Sequence, residues 1–226
     1  MEASQISIII PVLNEASKIA ETLANAQNAS NVEVIVVDGG SQDQTVAISL
    51  SSGAKVLSSP AGRAGQMNAG ALAANGEILL FLHGDTRLPK GFDTLIRQAI
   101  ASPDTIAGAF ELRIDAHLRG LWLIEKIVNA RSRWFSMPYG DQAIFLKNIV
   151  FKEIGGFPCL PIMEDFELMR RLRGLGKIAI VSAAVLTSGR RWQKLGVLKT
   201  TLINQLIIIG YFLGVPLKIL VRCYRL

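Results

Sequence analysis

The stretch ISIIIPVLNEASK, residues 6–18, begins with a continuous run of β-branched apolar residues and turns polar at Asn14. Three similar apolar runs follow, VEVIVVD (32–38), AKVLSS (54–59) and EILLFLH (77–83), and a stretch with helical apolar spacing comes after each of them. Strands that are apolar throughout, rather than at alternate positions, are buried on both faces. The pattern therefore predicts an α/β fold with a mostly parallel central sheet flanked by helices.

Length and composition predict one domain with a distinct tail. The chain has 226 residues, of which 50% are apolar, so it can bury one substantial core. We assign residues 1–196 to this domain and residues 197–226 to an apolar helical tail flanked by basic residues. The N-terminus lacks a basic region before its apolar run, and Cys159 and Cys223 have neither disulfide nor zinc-site spacing. These features predict a cytoplasmic protein in a reducing compartment.

The formal net charge of +6 raises the question of nucleic-acid binding. Lys and Arg are spread along the chain and become denser after Arg190, beside strongly apolar sequence. That distribution favours a membrane surface or a phosphate-bearing substrate, and it predicts no nucleic-acid partner.

Polar residues follow three of the four predicted strands, at the point where each strand ends. Asn14 and Glu15 follow the first strand, Asp38 follows the second, and Asp85 follows the fourth. Each of these residues taken alone could be a helix cap or a turn residue. Because ligands of parallel sheets collect at the carboxyl ends of the strands, three such ends together indicate a shared pocket.

The turn after the first strand narrows the kind of pocket. It reads PVLNEASK, which lacks the GxGxxG pattern of dinucleotide-binding folds, and no GxxxxGK followed by Ser or Thr occurs in the chain. Both of these nucleotide-binding modes are disfavoured. What remains is a nucleotide held by carboxylates at strand ends, with its phosphates neutralised by Mg²⁺ or Mn²⁺.

Six motifs carry a family resemblance: SIIIPVLNE, VVDGGSQDQT, GRAGQMNAGA, LLFLHGDTRLP, YGDQAIF and GGFPCLPIMEDFELMRRL. Their order, over roughly residues 6–192, resembles the family 2 glycosyltransferases, which have the GT-A fold. The chain is most similar to a short bacterial subgroup associated with radical-SAM and selenium-related gene neighbourhoods. Some members of that subgroup carry the name of carotenoid-acid (diaponeurosporenoate) glycosyltransferases.

The resemblance implies a nucleotide sugar as donor and assigns residues to its nucleoside. Asp38 resembles the aspartate that accepts a hydrogen bond from the uracil ring, and a carboxylate facing an imide N–H favours that base. Pro11, Asn14 and Glu15 resemble the strand-end residues that line the nucleoside. A UDP-sugar is therefore the expected donor.

The resemblance also assigns residues to the phosphate end of the donor. Arg63 and Asn68 resemble contacts to the diphosphate and the sugar side, although Arg63 alone could be a solvated loop residue. Asp85 resembles the last acid of the DxD element, which holds the metal. His83 stands where the first acid would be, and we interpret it as a structural or ribose-side residue because Mg²⁺ and Mn²⁺ prefer oxygen ligands.

The segment EDFEL supplies the candidate catalytic group. An inverting transfer needs one positioned carboxylate as base, and the resemblance assigns that role to Asp165. Glu164 and Gln142 are expected to contact or orient the acceptor. By chemistry alone, the two acids of this segment could equally provide favourable charge at a helix N-terminus.

The tail predicts an association with a surface. From Thr200 to Leu217 the chain has no charged residue, and the apolar residues lie almost all round a helix. This length is borderline for spanning a bilayer, so we expect an interfacial helix on the inner face of the cell membrane, with homo-oligomerisation as the alternative. Arg191 and Trp192 resemble the end of a QxxRW motif and are placed with the acceptor contacts, but Ser188 replaces the glutamine, which argues against processive polymer synthesis.

The resulting hypothesis is a metal-dependent, inverting hexosyltransferase that uses a nucleotide sugar and a lipid-like or membrane-proximal acceptor. Two alternatives remain open at this point. A sugar nucleotidyltransferase would need a glycine-rich basic loop after the first strand, which PVLNEAS is not. A non-catalytic, membrane-associated binder of sugar nucleotides is favoured by the missing first acid of DxD.

Overall fold

The computed structural model describes residues 3–224. The strands of this part of the chain form one sheet with the order β3-β2-β1-β4-β7-β6-β8-β5. Their bounds are β1 (Ile6–Val12), β2 (Val32–Asp38), β3 (Lys55–Ser58), β4 (Ile78–Phe81), β5 (Thr86–Arg87), β6 (Thr105–Asp115), β7 (Phe145–Lys147) and β8 (Lys177–Ser188). The predicted α/β fold is confirmed.

The direction of the strands decides which loops meet. Strands β1 to β4 are parallel, and β6 is parallel to β8, but β7 is antiparallel to both β4 and β6. Strand β5 is antiparallel to β8. Because β7 is antiparallel to both β4 and β6, strands β4, β6 and β8 all run in the same direction. The carboxyl ends of β1 to β4, β6 and β8 therefore lie at one edge of the sheet, and the chain enters β7 and β5 at that same edge. The sequence pattern missed β5 and β7, because strands of two and three residues have no readable periodicity, and it also missed β8, which has 12 residues.

Helices cover both faces of the sheet, as continuous apolar strands require. On one face Ile9 packs in a cluster with residues of α3, α6 and α7, and on the other Ile8 and Ile10 pack with residues of α1, α4 and α5. The helices are α1 (Ile19–Gln27), α2 (Thr45–Ser51), α3 (Arg63–Leu72), α4 (Phe92–Ile100), α5 (Leu121–Phe135), α6 (Asn148–Glu153), α7 (Glu164–Leu172), α8 (Arg190–Leu195), α9 (Val197–Phe212) and α10 (Leu217–Tyr224).

Helix α3 lies unusually close to the sheet. A Cβ atom at Gly70 would be 2.4 Å from Ile9 Cγ2 and 3.0 Å from Val37 Cγ2, so only glycine permits this approach. The contact places the N-terminus of α3, with Arg63 and Gln66, beside the carboxyl ends of β1 and β2.

The tail is packed into the molecule on one of its sides. Ile207 of α9 and Leu220 of α10 are each only 4% exposed and belong to the same core cluster as Ile9. The Tyr211 hydroxyl donates a hydrogen bond of 2.6 Å to Glu167 on α7. The expected apolar helix is therefore present, and it is joined to the core of the sheet.

The other side of α9 carries an exposed apolar row at helical spacing, which we call the outer stripe. Its members are Leu198, Leu202, Leu206, Ile209 and Leu213, each between 53% and 86% exposed. Within residues 3–224, no helix has the length and apolar character needed to cross a membrane.

Candidate functional site

A cleft of about 300 Å³ lies where the carboxyl ends of β1 and β4 meet the start of α3. Its lining includes several residues predicted for the site: Pro11, Glu15, Arg63, His83 and Asp85. A larger cavity, of about 740 Å³, lies at the opposite edge of the sheet, and its lining contains none of the predicted site residues. The polar chemistry at the strand ends identifies the smaller cleft as the candidate site.

A cation joins the two acids of this cleft. Arg190 Nη2 lies 2.9 and 2.8 Å from the two carboxylate oxygens of Glu15 and 2.8 Å from Asp85 Oδ2. Burial raises the pKa of Glu15, although the hydrogen bond and charge of Arg190 act in the opposite direction. Sequence reasoning placed Arg190 only among the basic residues around the tail. The signal available was its position two residues after β8, since a residue at the end of a parallel strand is a site candidate.

Asp38 and Asn14 build the loop between β2 and α2. The Asp38 carboxylate accepts hydrogen bonds from the backbone N–H groups of Gly40 (2.9 Å) and Ser41 (3.0 Å). The Asn14 side chain accepts one from the backbone N–H of Gln42 at 2.8 Å, and Asn14 itself has a positive φ of 56°. Carboxylate oxygens have further lone pairs, so the uracil contact of Asp38 is chemically open and stays a prediction.

Of the two amides on α3, only Asn68 was predicted to contact the donor, and Gln66 is the one that lines the cleft. Asn68 makes two 2.9 Å hydrogen bonds with the backbone N–H and C=O of Phe157, so both ends of its amide are occupied. Gln66 lines the cleft instead, and its Nε2 donates to the carbonyl oxygens of Val12 and Val37 at 2.9 and 2.8 Å. Gln66 thus joins the ends of β1 and β2, whereas Asn68 holds the backbone of Phe157, and its donor contact stays a prediction.

His83 is held neutral beside the cleft. Burial, together with the positive charge of Arg63, lowers the pKa of His83 to about 3. A Cβ atom at Gly140 would lie 3.3 Å from His83 Nε2 and 3.2 Å from Asp165 Oδ2, so this glycine leaves room for both side chains. His83 therefore lies between the Asp85 side of the cleft and the Asp165 side.

Asp165 stands at the start of α7 and is fixed by two backbone donors. Its Oδ2 accepts a hydrogen bond from Gly140 N–H, and its Oδ1 accepts one from Phe166 N–H, each at 2.7 Å. Glu164 is only 4% exposed and lies 3.5 Å from Arg63. Burial and the charge of Asp165 raise the pKa of Glu164 against the opposing effect of Arg63. Both interpretations of this segment, a positioned base and a helix-terminal charge, are compatible with this geometry.

Gln142 is fully buried and holds the loop that carries Gly140. Its Oε1 accepts a 2.8 Å hydrogen bond from Ser132, and its Nε2 donates to the carbonyl of Phe110 at 2.9 Å. Of the two expectations for Gln142, orienting and direct acceptor contact, the geometry supports only the orienting role, exerted through the loop.

Asp141, the residue before Gln142, is a candidate that sequence reasoning missed. Within residues 3–224, its Oδ1 and the Nε and Nη2 atoms of Arg131 are buried without a hydrogen-bond partner. The Arg131 guanidinium lies 3.6 Å from the centre of the Tyr139 ring. Burial raises the pKa of Asp141 to about 6, with the charge of Asp165 adding to the effect and Arg131 opposing it. Such unpaired buried groups are uncommon and mark a water site or a functional position.

The raised pKa of Asp141 leads to a pH-dependent stability prediction. A carboxyl whose folded-state pKa is raised from 3.8 to about 6 loses its favourable contribution as the pH rises through that range. Replacing Asp141 with Asn removes this loss, so the stability of the variant relative to the wild type should increase by about 1 to 3 kcal/mol between pH 4 and pH 7. Urea unfolding at both pH values measures the difference. The titration of His83 contributes equally to the stability of the wild type and of the variant, so it cancels in the comparison. A stability difference that does not change with pH would contradict the raised pKa of Asp141.

Arg191 and Trp192 lie outside the lining of the cleft. Arg191 Nη2 donates a 2.8 Å hydrogen bond to the carbonyl of Tyr224, and its guanidinium lies 4.0 Å from the centre of the Tyr224 ring. Trp192 packs against the core cluster that contains Ile8. Arg191 therefore anchors α10. Neither Arg191 nor Trp192 lines the cleft, and their contact with the acceptor stays a prediction.

The acids of the cleft fit a divalent metal only in part. Among residues 3–224, no group of three or more His, Cys, Asp or Glu side chains is arranged to hold a metal ion. Glu15 and Asp85 nevertheless converge on one cation, the guanidinium of Arg190. Mg²⁺ commonly uses one or two carboxylates and takes its other ligands from phosphate and water. The chemistry of this pair of acids therefore suits such an ion.

The fold and the strand-end cleft define a GT-A-like glycosyltransferase class. The mannosyltransferase PcManGT from Pyrobaculum calidifontis, solved with GDP-Man and Mn²⁺, is 20% identical with a TM-score of 0.67 over 90% of this chain and 63% of that chain. TarS from S. aureus, solved with UDP-GlcNAc, is 18% identical with a TM-score of 0.64 over 81% of this chain and 58% of that chain. The chain belongs to the family described as glycosyl transferase family 2, whose model matches residues 7–158.

Curated relatives agree with this family. An uncharacterized glycosyltransferase of Rickettsia typhi is 30% identical and one of Rickettsia prowazekii is 38% identical, each over 181 residues that cover 72% of this chain. The chain spans 57% of the length of these two relatives.

Proposed function

We propose that the chain transfers a sugar, with inversion, from a nucleotide sugar to a lipid-like or membrane-proximal acceptor. The observation that carries this proposal is the arrangement along one edge of the sheet. Glu15 and Asp85 line the cleft together with His83, and the Nε2 atom of His83 and the fixed carboxylate of Asp165 both lie beside Gly140, while Arg63 reaches Glu164, the neighbour of Asp165. A donor diphosphate and an acceptor hydroxyl would then meet beside this histidine.

The charges of the cleft support the donor assignment. Arg63 offers an always-charged guanidinium that is 48% exposed at the start of α3, where helix N–H groups also favour an anion. Asp38, at the end of β2, supports a base with an imide N–H and therefore UDP. The related folds described above were solved with GDP-Man or UDP-GlcNAc, so both nucleotides belong in the first binding screen.

Asp85, with Glu15 beside it, would hold Mn²⁺ or Mg²⁺. A glucosyl-3-phosphoglycerate synthase from Mycobacterium tuberculosis, of similar fold at 19% identity and a TM-score of 0.62 over 90% of this chain and 79% of that chain, was solved with Mn²⁺ and UDP. A bound metal would neutralise charge on the departing diphosphate.

The transfer step uses Asp165 as base. Its carboxylate accepts the proton of the acceptor hydroxyl while that oxygen bonds to the anomeric carbon, and the bond from this carbon to the diphosphate oxygen breaks. The N–H groups of Gly140 and Phe166 fix the carboxylate in position. Since Asp165 removes only a proton and forms no bond to the sugar, the anomeric carbon undergoes a single displacement and its configuration inverts.

Exposed apolar surface supports the acceptor class. The outer stripe of α9 is one such surface, and Trp122, Ile127 and Trp134 of α5 are each more than half exposed. Exposed aromatic and aliphatic residues with basic neighbours are typical of proteins that bind the membrane interface. A peripheral position on the cytoplasmic face of the membrane, and an acceptor such as a carotenoid acid as in the resembling subgroup, follow from this proposal. The alternative role of the outer stripe is self-association of the protein.

Removing Asp85 tests the metal assignment. Asp85→Ala should abolish the Mn²⁺-dependent part of UDP binding and change stability little, because a strand-end polar side chain contributes little to the core. Calorimetric titration of UDP with and without Mn²⁺ measures the effect. Asp115→Ala is the matched control, since Asp115 is also a strand-end acid paired with an arginine. Unchanged Mn²⁺ dependence in Asp85→Ala would overturn the assignment.

The presence of His83 where the first acid of DxD would be favours a second candidate function, a sugar-nucleotide binder without catalysis. A neutral imidazole is a weaker ligand than a carboxylate for a hard metal ion. Slow hydrolysis of the bound nucleotide sugar in the presence of Mn²⁺ would identify an enzyme. Tight binding with an intact sugar after prolonged incubation would identify the binder.

A further inference from the structure

We propose that Arg190 is an exchangeable cation: it pairs with Glu15 and Asp85 until a divalent metal takes its place at Asp85, and it then moves to the donor diphosphate. This inference rests on the proposed function, and it adds a residue that neither the family resemblance nor the sequence motifs assigned to the donor.

The hydrogen bonds of the Arg190 guanidinium are short, and one of its atoms makes all of them. Nη2 alone makes all three hydrogen bonds to Glu15 and Asp85. The other guanidinium N–H groups have no acceptor within the described part of the chain. The side chain is 48% exposed, whereas those of Glu15 and Asp85 are 21% and 20% exposed. The guanidinium can therefore turn toward a ligand in the cleft without unpacking a core.

Electrostatics explains why a cation occupies this position before any ligand arrives. Carboxylate oxygens that share one nitrogen lie within roughly 6 Å of each other, a range in which like charges repel appreciably. The two acids also lie on different elements, the loop after β1 and the loop after β4. Arg190 thus holds these loops together at the mouth of the cleft, and a metal ion at the same acids would replace that attraction.

A divalent ion and the Arg190 guanidinium at Asp85 carry like charges and repel each other at this separation, so the binding of one disfavours the other. Mg²⁺ and Mn²⁺ prefer carboxylate oxygens, whereas a guanidinium fork matches phosphate oxygens well. After the exchange, the metal ion contacts the Asp85 carboxylate and the Arg190 guanidinium contacts phosphate oxygens. It also predicts that metal and nucleotide strengthen each other's binding, and thermodynamic linkage makes this effect equal in both directions.

Arg190→Ala tests the exchange through binding alone. Mn²⁺ without nucleotide should bind about 10-fold more tightly to the variant, because no protein cation competes for Asp85. UDP in the presence of Mn²⁺ should bind about 10- to 100-fold more weakly, the loss expected for a charge-assisted phosphate contact. Calorimetry with Mn²⁺ alone, UDP alone and both together gives these affinities for each chain. Arg190→Gln, which keeps a hydrogen-bond donor on a shorter, uncharged side chain, replaces Arg190→Ala if the latter does not melt cooperatively.

Arg87→Ala is the matched control, since Arg87 is an exposed arginine that bridges the acids Glu21 and Asp115 away from the cleft. Its Mn²⁺ and UDP affinities should equal those of the wild type. If Arg190→Ala binds Mn²⁺ alone no better than the wild type, or binds UDP with Mn²⁺ equally well, the exchange is wrong. If the wild type itself binds no nucleotide, the proposed function fails, and the comparison with Mn²⁺ alone still decides whether Arg190 competes with the metal.

Discussion

Asp165→Asn is expected to lower the rate of sugar transfer by about 10²- to 10⁴-fold while UDP affinity stays close to that of the wild type. The carboxylate is the proposed base, and it is fixed beside Gly140, apart from the acids that line the cleft and would hold the metal and donor phosphates. The substitution has a structural cost too, because an asparagine must turn its NH₂ group toward the N–H of either Gly140 or Phe166. One hydrogen bond is then lost, at a cost of about 1 to 3 kcal/mol in stability.

The split between kcat and KM separates the loss of the base from this structural effect. Loss of the base should lower kcat and leave the KM of the donor unchanged. A rise in the donor KM that matches the fall in kcat/KM would mean that Asp165 only positions the loop. A small effect on the rate would contradict the base assignment, as it would for an acceptor that is itself a carboxylate and needs no deprotonation.

A chain ending at Gly196 is expected not to fold cooperatively. Read from the sequence alone, residues 197–226 form a separate tail, and a truncated chain would remain folded. In the structure Ile207 and Leu220 are core residues, and Tyr211 bonds to Glu167. Removing a large buried side chain typically costs 2 to 5 kcal/mol, and a domain of ordinary stability has about 5 to 15 kcal/mol in total. Thermal unfolding followed by circular dichroism measures the outcome, and a cooperative transition in the truncated chain would show that α9 and α10 are dispensable.

Membrane association therefore has to be tested with point variants on the outer stripe. Leu202→Ser, Leu206→Ser and Ile209→Ser together remove exposed apolar side chains only, so the fold should persist. We expect the wild type to co-sediment with anionic liposomes in a salt-sensitive way and the triple variant to lose this binding. Leu50→Ser, Leu72→Ser and Leu175→Ser change three exposed leucines elsewhere and should bind as the wild type does. A wild-type dimer that the stripe variant converts to a monomer would assign the surface to self-association.

The sequence predicted the parts of the fold that repeat a strong pattern. β1, β2 and β4 are continuous apolar runs, and both of their faces are covered in the structure, as the pattern indicates. The short strands β5 and β7 were not predicted, because they form by pairing with longer neighbouring strands. The packing of one side of the tail on the core was not predicted, because an apolar helix has the same composition whether a bilayer or the protein's own core covers it.

The site was predictable where a residue's role follows from its position at a strand end. Glu15 and Asp85 were found in this way, and both line the cleft. Arg190 and Asp141 were not, because their importance depends on charges brought together by chain reversals that periodicity does not show. The role of Asn68 stays a prediction, because its amide hydrogen-bonds to the backbone of Phe157 in the structure.

The two-residue strand β5 sets the order in which the cleft becomes complete during synthesis. Asp85 and Arg190 are 105 residues apart, and they meet only after β8 has paired with β5 and the Asp85 carbonyl has accepted the N–H of Ser188 at 3.2 Å. At a translation rate of about 5 to 20 residues per second, Asp85 waits some 5 to 20 seconds on the ribosome before its partner is made. During that interval Glu15 and Asp85 lack the cation that pairs with them in the complete fold. Arrival of β8 thus brings Arg190 to the two acids and completes the cleft.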